Sequence, residues 1–245
     1  MKKTQIQVAL DFLELDRALR AADAAMEGGA DILEAGTPLI KSEGLDAVRA
    51  LRDRFPGVPI VADTKTMDAG KIEAEAAASA GADVMTVLAV APRGTIRQCV
   101  DAGGHYGIAV AADLIGTADP VAAANMASDL GCSRVDVHCA IDRQMEGGSA
   151  VDELSRIRAA IDIQLAAAGG LNSETAPAAA AAGADVVVVG GAIIKARDVT
   201  AAAAAIRTAL DSGAPVASEH FKRATPAAIR EILRSVRTSN VSDGA

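Results

Sequence analysis

Aromatic residues make up only 2% of this 245-residue chain, and tryptophan is missing altogether. A core built from it must be filled by Ala, Val, Ile and Leu, which suits small layered α/β units, and recognition of nucleic acid by base stacking has little to work with. A basic face is lacking too: 24 Lys and Arg stand against 32 Asp and Glu, a formal net charge of −8. That balance argues against a binder of phosphate backbones, so no nucleic-acid partner is expected, although a local anion site is compatible with it. Long apolar runs are absent. Met1-Lys2-Lys3 leads straight into strand-like sequence without a signal-type apolar segment, and no stretch of membrane-spanning length is free of charge. The expectation is a cytoplasmic protein with no membrane partner. The three cysteines, Cys99, Cys132 and Cys139, are odd in number and lack C-x-x-C spacing, which predicts buried reduced thiols.

What is present is a repeat. With 51% hydrophobic and 23% charged residues the chain has the composition of a globular protein. Apolar runs of period two alternate with Ala-rich amphipathic segments eight times over. Strands are predicted over 5–10, 32–35, 58–62, 84–89, 107–112, 134–138, 163–167 and 185–189. The matching helices are predicted over 13–26, 45–54, 69–80, 92–101, 120–130, 151–160, 174–182 and 199–210. Gly-Ala-Asp recurs before strands two, four and eight. The pattern predicts a single (β/α)8 TIM barrel over residues 1–212. An open doubly wound sheet is the alternative, but its dinucleotide-binding form wants G-x-G-x-x-G after the first strand, where Leu10-Asp11-Phe12-Leu13 stands instead. Residues 213–245 form a tail beyond the eighth unit, in which Thr225-Pro226 followed by apolar residues at helical spacing predicts a helix.

In such a barrel the reacting groups sit where strands end. The chain places there Asp11, Glu34, Asp63 with Lys65, Asp113 and His138, and it closes strands seven and eight on Gly169-Gly170 and Gly190-Gly191. The centre is Asp63-Thr64-Lys65-Thr66-Met67-Asp68. Strand alternation turns Asp63 and Lys65 to one side, with Asp68 just beyond. A lysine flanked by carboxylates keeps its proton, which makes Lys65 an electrophile or proton donor rather than a Schiff-base amine. Taken alone, D-x-K-x-x-D also describes a helix cap with a surface ion pair. The shared strand-end placement of the other acids tells against that. Converging carboxylates need cations: Lys65 is one, and Mg2+ on Glu34 and Asp63, from adjacent strands, is a second that accepts such oxygen ligands. The glycine pairs leave backbone N–H groups free near helix starts, which suits phosphate, or else they serve tight turns. His138, near Asp142, is a candidate acid/base, with a structural histidine as the alternative. His105 is assigned to the opposite face of the barrel and His220 to the tail.

Several stretches together resemble the orotidine 5'-monophosphate decarboxylase superfamily: Val8-Ala9-Leu10-Asp11, Glu34-Ala35-Gly36-Thr37-Pro38-Leu39-Ile40, Ala62 to Gly70 with its D-x-K-x-x-D, Asp113-Leu114-Ile115, and Val188 to Ile193. Within it the match is most similar to the 3-hexulose-6-phosphate synthase family. That resemblance implies a Mg2+-dependent aldol reaction joining formaldehyde to D-ribulose 5-phosphate, or its reverse, through an enediolate. It also implies a catalytic set of Asp63, Lys65, Asp68, His138 and Asp113, substrate contacts from Asp11, Gly169, Gly170, Gly190 and Gly191, and a homodimer into whose neighbouring site Asp68 reaches. The related 3-keto-L-gulonate 6-phosphate decarboxylase is the competitor; its Glu after strand five and its Arg after the strand-six His correspond here to Asp113 and Ile141. Gly191 replaces a phosphate-binding Arg of some relatives, leaving a phosphate-binding side chain to be identified. A sugar-phosphate-binding scaffold without turnover is the non-enzymatic reading. Residues 236–245 resemble the opening of the domain named for regulators of ribonuclease E activity, which raises the expectation of a longer fused protein.

Overall fold

The computed structural model describes residues 3–139 and 151–218. Its strands are β1 (Gln5–Leu10), β2 (Ile32–Ala35), β3 (Ile60–Thr66), β4 (Val84–Leu88), β5 (Ala109–Asp113), β6 (Arg134–His138), β7 (Gln164–Ala168) and β8 (Val186–Val189). They pair in parallel and in sequence order, and β8 returns to β1 to close the barrel. Around it lie α1 (Leu15–Glu27), α2 (Thr37–Glu43), α3 (Asp46–Arg54), α4 (Gly70–Ser79), α5 (Arg93–Tyr106), α6 (Pro120–Asp129), α7 (Val151–Arg158), α8 (Ala176–Ala181), α9 (Gly191–Ile194) and α10 (Val199–Ser212). None of these helices is long and apolar enough to cross a membrane.

Two layers of side chains follow from the alternation along each strand. Ile6, Leu10, Leu33, Ile60, Met85 and Leu165 are fully buried with Leu39, Leu51, Ile96, Leu154, Ile157 and Ile193 from the helices. Each such side chain stabilises the fold by about 1.5–3 kcal/mol. The shortage of aromatics is met by close approach: α1 buries Ala18, Ala21, Ala22 and Ala25, a stripe at helical spacing that holds the helix tight against its neighbours. A smaller inner layer of Ala9, Ile32, Val61, Ala166, Ala168, Val186 and Val188 fills part of the lumen. The rest of the lumen is polar, with Gln7, Glu34, Arg134 and Asp136 all buried.

The Gly-Ala-Asp repeat has a physical role at the N-terminal rim. Asp83, ahead of β4, accepts the Ile60 amide of β3 at 2.7 Å and pairs with Arg52 of α3, whose guanidinium also donates to the carbonyls of Gly81 and Val58. Gly81 has φ 92°, and a Cβ there would lie 2.8 Å from the Arg52 stem. Only glycine fits both demands. The device recurs with Asp31, Ile6 and Arg207, and with Asp185, Leu165 and Arg158. Ahead of β6 the slot is kept in weaker form, with Ser133 bonded to the Val110 carbonyl and Val100 where the arginine would lie. Each even-numbered strand is thereby tied to the strand before it.

Several boundaries differ from expectation. Thr37-Pro38 opens an additional helix, α2, with the proline in its first turn, where its missing N–H costs nothing. β3 starts at Ile60 and runs on through Thr66. α5 continues through Gly103-Gly104 to Tyr106, because a Cβ at Gly103 would lie 2.7 Å from the Ile108 carbonyl; that glycine serves packing and does not end the helix. His105 therefore lies in the last turn of α5, edge-on to Tyr106 at 4.8 Å between ring centroids. The cysteines are buried and unbridged. Beyond α10, Val216 exchanges two hydrogen bonds with Ser173 and the Ser218 amide donates to Glu174, which ties residues 216–218 to the loop after β7. The predicted tail helix and residues 236–245 lie outside the described residues.

Gly81→Ala should destabilise the fold by about 1–2 kcal/mol in urea denaturation, since it forces a side chain into the left-handed region against Arg52. Gly57→Ala, where a Cβ meets nothing within 4 Å, should stay within about 0.5 kcal/mol of wild type.

Candidate active site

The C-terminal end of β3 departs from regular strand. Its register with β4 shifts between Ala62 and Thr66, and Lys65 has φ 46°, as Ala69 has φ 55°. A lysine in this conformation is strained and persists only where its surroundings hold it. The Thr86 hydroxyl of β4 does so: it accepts the Lys65 amide at 2.9 Å and donates to Asp63 Oδ1 at 2.8 Å. Thr64 and Thr66 bond to each other, and Thr64 also donates to the Thr86 carbonyl. From α2, the Thr37 hydroxyl reaches Asp63 Oδ2 and the Asp63 carbonyl, both at 2.8 Å.

The bulge turns the Lys65 ammonium between two buried carboxylates. Nζ lies 2.9 Å from Asp63 Oδ2 and 3.1 Å from Oδ1, and 2.9 Å from Asp113 Oδ2. Burial opposes its charge, but the two aspartates outweigh burial and raise its pKa above the ordinary lysine value, so Lys65 is a fixed cation. Asp113 Oδ2 is shared with His138 Nδ1 at 3.0 Å, while Asp113 Oδ1 accepts the Ile115 amide. Burial would raise the Asp113 carboxyl; the hydrogen bond and charge of His138, then Lys65, bring it down to about 2. His138 loses some basicity to burial and regains more from Asp113, ending above its ordinary value. With Nδ1 turned to Asp113, we assign the proton there and leave Nε2 to face a reactant. Beside His138 lies a cavity of about 260 Å3 lined by Leu114, Gly116, Thr117, Pro120, Val137 and Glu153.

On the other side of Asp63 the balance is reversed. Glu34 is pushed well above its ordinary pKa by burial, then by Asp63 and Asp11, against a hydrogen bond from Gln7. Asp11 stands exposed at the barrel mouth, yet protein crowds its carboxylate enough that desolvation, then Asp63, push it up, with Lys65, His138 and Lys195 opposing. It sits so close to the chain that a Cβ at Gly36 would collide with Oδ1, and one at Gly190 would lie 3.2 Å from Oδ2. Gly190 thus makes room for Asp11. Gly169 and Gly170 turn the chain after β7 with φ 99° and 71°, and Gly191 opens α9. Among the described residues no group of three or more His, Cys, Asp or Glu has the arrangement of a metal cage.

The structure therefore brings Asp11, Glu34, Asp63, Lys65, Asp113 and His138 to one end of the barrel. It does not bring Asp68 to them within one chain: that residue is exposed and accepts the Ala69 amide at 2.7 Å. Ile141 and Asp142 lie outside the described residues. Thr37 and Thr86 were not anticipated; counting back in steps of two from the β4 end at Leu88 would have put Thr86 on the inner face. Thr86→Val keeps the shape and removes the hydroxyl shared by Asp63 and the Lys65 amide. It should cost about 1–3 kcal/mol in denaturation, the usual effect of leaving buried partners unmet.

The Orotidine 5'-phosphate decarboxylase / HUMPS family model matches residues 4–206. The 3-hexulose-6-phosphate synthase of Mycobacterium gastri is 40% identical over 206 residues, covering 84% of this chain and 99% of that protein. The crystal structure of 3-hexulose-6-phosphate synthase from Salmonella typhimurium superposes with a TM-score of 0.82 at 34% identity, covering 86% of this chain and all of the other. That of 3-keto-L-gulonate-6-phosphate decarboxylase from Vibrio cholerae gives 0.75 at 29% identity, covering 87% of this chain and all of the other. With a match that spans the barrel and relatives that are enzymes along nearly their whole length, the chain is a lyase-type enzyme that belongs to the Orotidine 5'-phosphate decarboxylase / HUMPS family.

Proposed function

We propose that the chain catalyses the aldol condensation of formaldehyde with D-ribulose 5-phosphate to D-arabino-hex-3-ulose 6-phosphate, and the reverse, through an enediolate. The observation that carries this reading is the Lys65 ammonium fixed between Asp63 and Asp113, with His138 on the same Asp113 oxygen. In the condensation a base removes a proton from C1 of the ketose, and the electron pair moves toward the C2 carbonyl oxygen. His138 Nε2 takes that proton, with Asp113 stabilising the imidazolium that forms. Lys65 offers preorganised positive charge to the developing oxyanion. C1 then attacks the formaldehyde carbon, a C–C bond forms, and the new alkoxide takes a proton from His138. Asp11 orders substrate hydroxyls.

The donor set fits a hard divalent ion. Glu34 and Asp63 offer oxygen ligands on neighbouring strands, and the burial and then mutual repulsion that raise Glu34 and Asp11 mark a place short of positive charge. Mg2+ held by Glu34 and Asp63 would supply Lewis acidity at the carbonyl and adjacent hydroxyl oxygens of the substrate. The turns at Gly169-Gly170 and Gly190-Gly191 are suited to the phosphate through backbone N–H groups. A homodimer is part of the reading: Met67 and Ile72 are exposed apolar side chains on the loop and first helical turn that carry Asp68, and Leu13 and Val90 are exposed on other loops at the same end of the barrel. That surface would be covered while Asp68 reaches a neighbouring site.

The competing reaction, decarboxylation of 3-keto-L-gulonate 6-phosphate, uses the same kind of intermediate. An assay with both substrates decides: formaldehyde consumption with ribulose 5-phosphate, lost in chelator and restored by Mg2+, supports the proposal. Faster release of CO2 from the gulonate would overturn it. Asp63→Asn should lower turnover by about 100-fold or more without unfolding the protein, since it strips the charge that holds Lys65.

The pH dependence carries its own sign. A base must be neutral to act, so kcat/KM should rise with pH through a single proton step above the ordinary histidine value of about 6.5, since Asp113 more than offsets burial and raises His138. In Asp113→Asn the burial remains and the attracting charge is gone, so the step should move to lower pH. A step that stays in place would remove His138 from its role.

A further inference from the structure

A line of buried polar side chains crosses the lumen beneath the site. Arg134, the first residue of β6, forks onto Asp136, with Nε 2.6 Å from Oδ1 and Nη2 2.9 Å from Oδ2. Its remaining nitrogen, Nη1, donates to Gln7 Oε1 at 2.9 Å, and Gln7 Nε2 donates to Glu34 Oε2 at 2.5 Å. All four side chains are buried. The contact from Arg134 to Gln7 does not follow the sheet, because β6 reaches β1 only by way of β7 and β8; it spans the hole. Room for the guanidinium comes from small neighbours: Ala111 is paired with Arg134, and Ala166 with Asp136.

The line has a direction. An amide can be turned either way round, but the guanidinium has only donors, so it claims the oxygen of Gln7 and leaves the NH2 group for Glu34. Stability alone does not call for this: replacing a buried ion pair by apolar side chains of similar size is often neutral or stabilising, and the lumen already holds alanine and valine. One consequence remains, at the upper end. Glu34 Oε2 is anchored from below, and among the described residues no hydrogen bond engages its other oxygen, which is left to serve the site.

We propose that Asp136, Arg134 and Gln7 form a positioning strut that orients Glu34 for a divalent cation. The strut rests on the reading of Glu34 as a metal ligand, and groups that orient ligands in this way typically set affinity by about 10–100-fold. The test uses Mn2+ as a spectroscopic stand-in, with free and bound ion counted by electron paramagnetic resonance in the absence of substrate. Gln7→Met cuts the strut at its upper joint; Arg134→Leu with Asp136→Leu removes the ion pair whole, leaves no charge stranded, and serves if the first variant does not fold. Each should bind Mn2+ about tenfold or more weakly than wild type. The triple variant should be no weaker than the worse of the two, as for parts of one device. Val186→Ala, in the same lumen layer, should lower the Tm and leave the Mn2+ affinity unchanged. If the folded strut variants bind within twofold of wild type, or the Val186 variant weakens binding as much as they do, the strut is wrong while the metal reading stands. If wild-type protein binds no Mn2+, the metal reading fails and the strut fails with it.

Discussion

The site depends on one strained residue. Lys65 takes a positive φ at the end of a strand whose register slips, and what it gains is a place for its ammonium between Asp63 and Asp113. A lysine in regular strand conformation would project from the pleat with the two aspartates on different strands to reach. Backbone strain of this kind costs about 1–3 kcal/mol and must be held by its surroundings. Thr86 holds it from β4, and Thr37 from α2 fixes Asp63 beside it, so the unexpected helix and the bulge belong to one construction.

Fixing the Lys65 ammonium at that point divides the site into two electrostatic halves. Toward β5 and β6, Asp113 satisfies Lys65 and His138 together and is held ionised, down to about 2. Toward β1 and β2, Asp63, Glu34 and Asp11 face one another with too little positive charge, and the latter two are pushed up. An anion-forming reaction uses such an asymmetry. On the proposed reading one half supplies proton transfer and a permanent cation, and the other would take a hard divalent ion together with the oxygens of a substrate. A scaffold that only held a sugar phosphate would have no use for mutually repelling carboxylates.

The barrel could be read from the sequence because every strand but β4 is a short apolar run ending on a charged residue or a glycine pair, and because Gly-Ala-Asp marks one rim. The six side chains that the structure gathers at one end of the barrel could be named from their place at strand ends. What escaped was what lies within the strands or carries no charge. Gln7, Arg134 and Asp136 read as ordinary polar residues until the alternation is counted inward from Asp11 and His138, which puts all three on the lumen face. Thr37 and Thr86 act through hydroxyls that no pattern of charge reveals. The positive φ of Lys65 has no sequence signal, since lysine is not a residue that prefers it. The helix predicted over 92–101 runs on to Tyr106 because the packing of Gly103 depends on the chain at Ile108 and Val110, which only the fold brings near. Asp68 was expected beside Lys65 from the motif's spacing and from resemblance; within one chain it stays outside, and the second carboxylate on Lys65 is Asp113.

The central claim is that Lys65 stabilises the oxyanion formed when a proton leaves C1 of ribulose 5-phosphate. Deuterium exchange at C1, followed by proton NMR in D2O with Mg2+ present and formaldehyde omitted, isolates that step from carbon–carbon bond formation. Wild-type protein should wash deuterium into C1 stereospecifically, and Lys65→Ala should slow exchange by about 100-fold or more while remaining folded. Exchange at the wild-type rate in that variant would contradict the account.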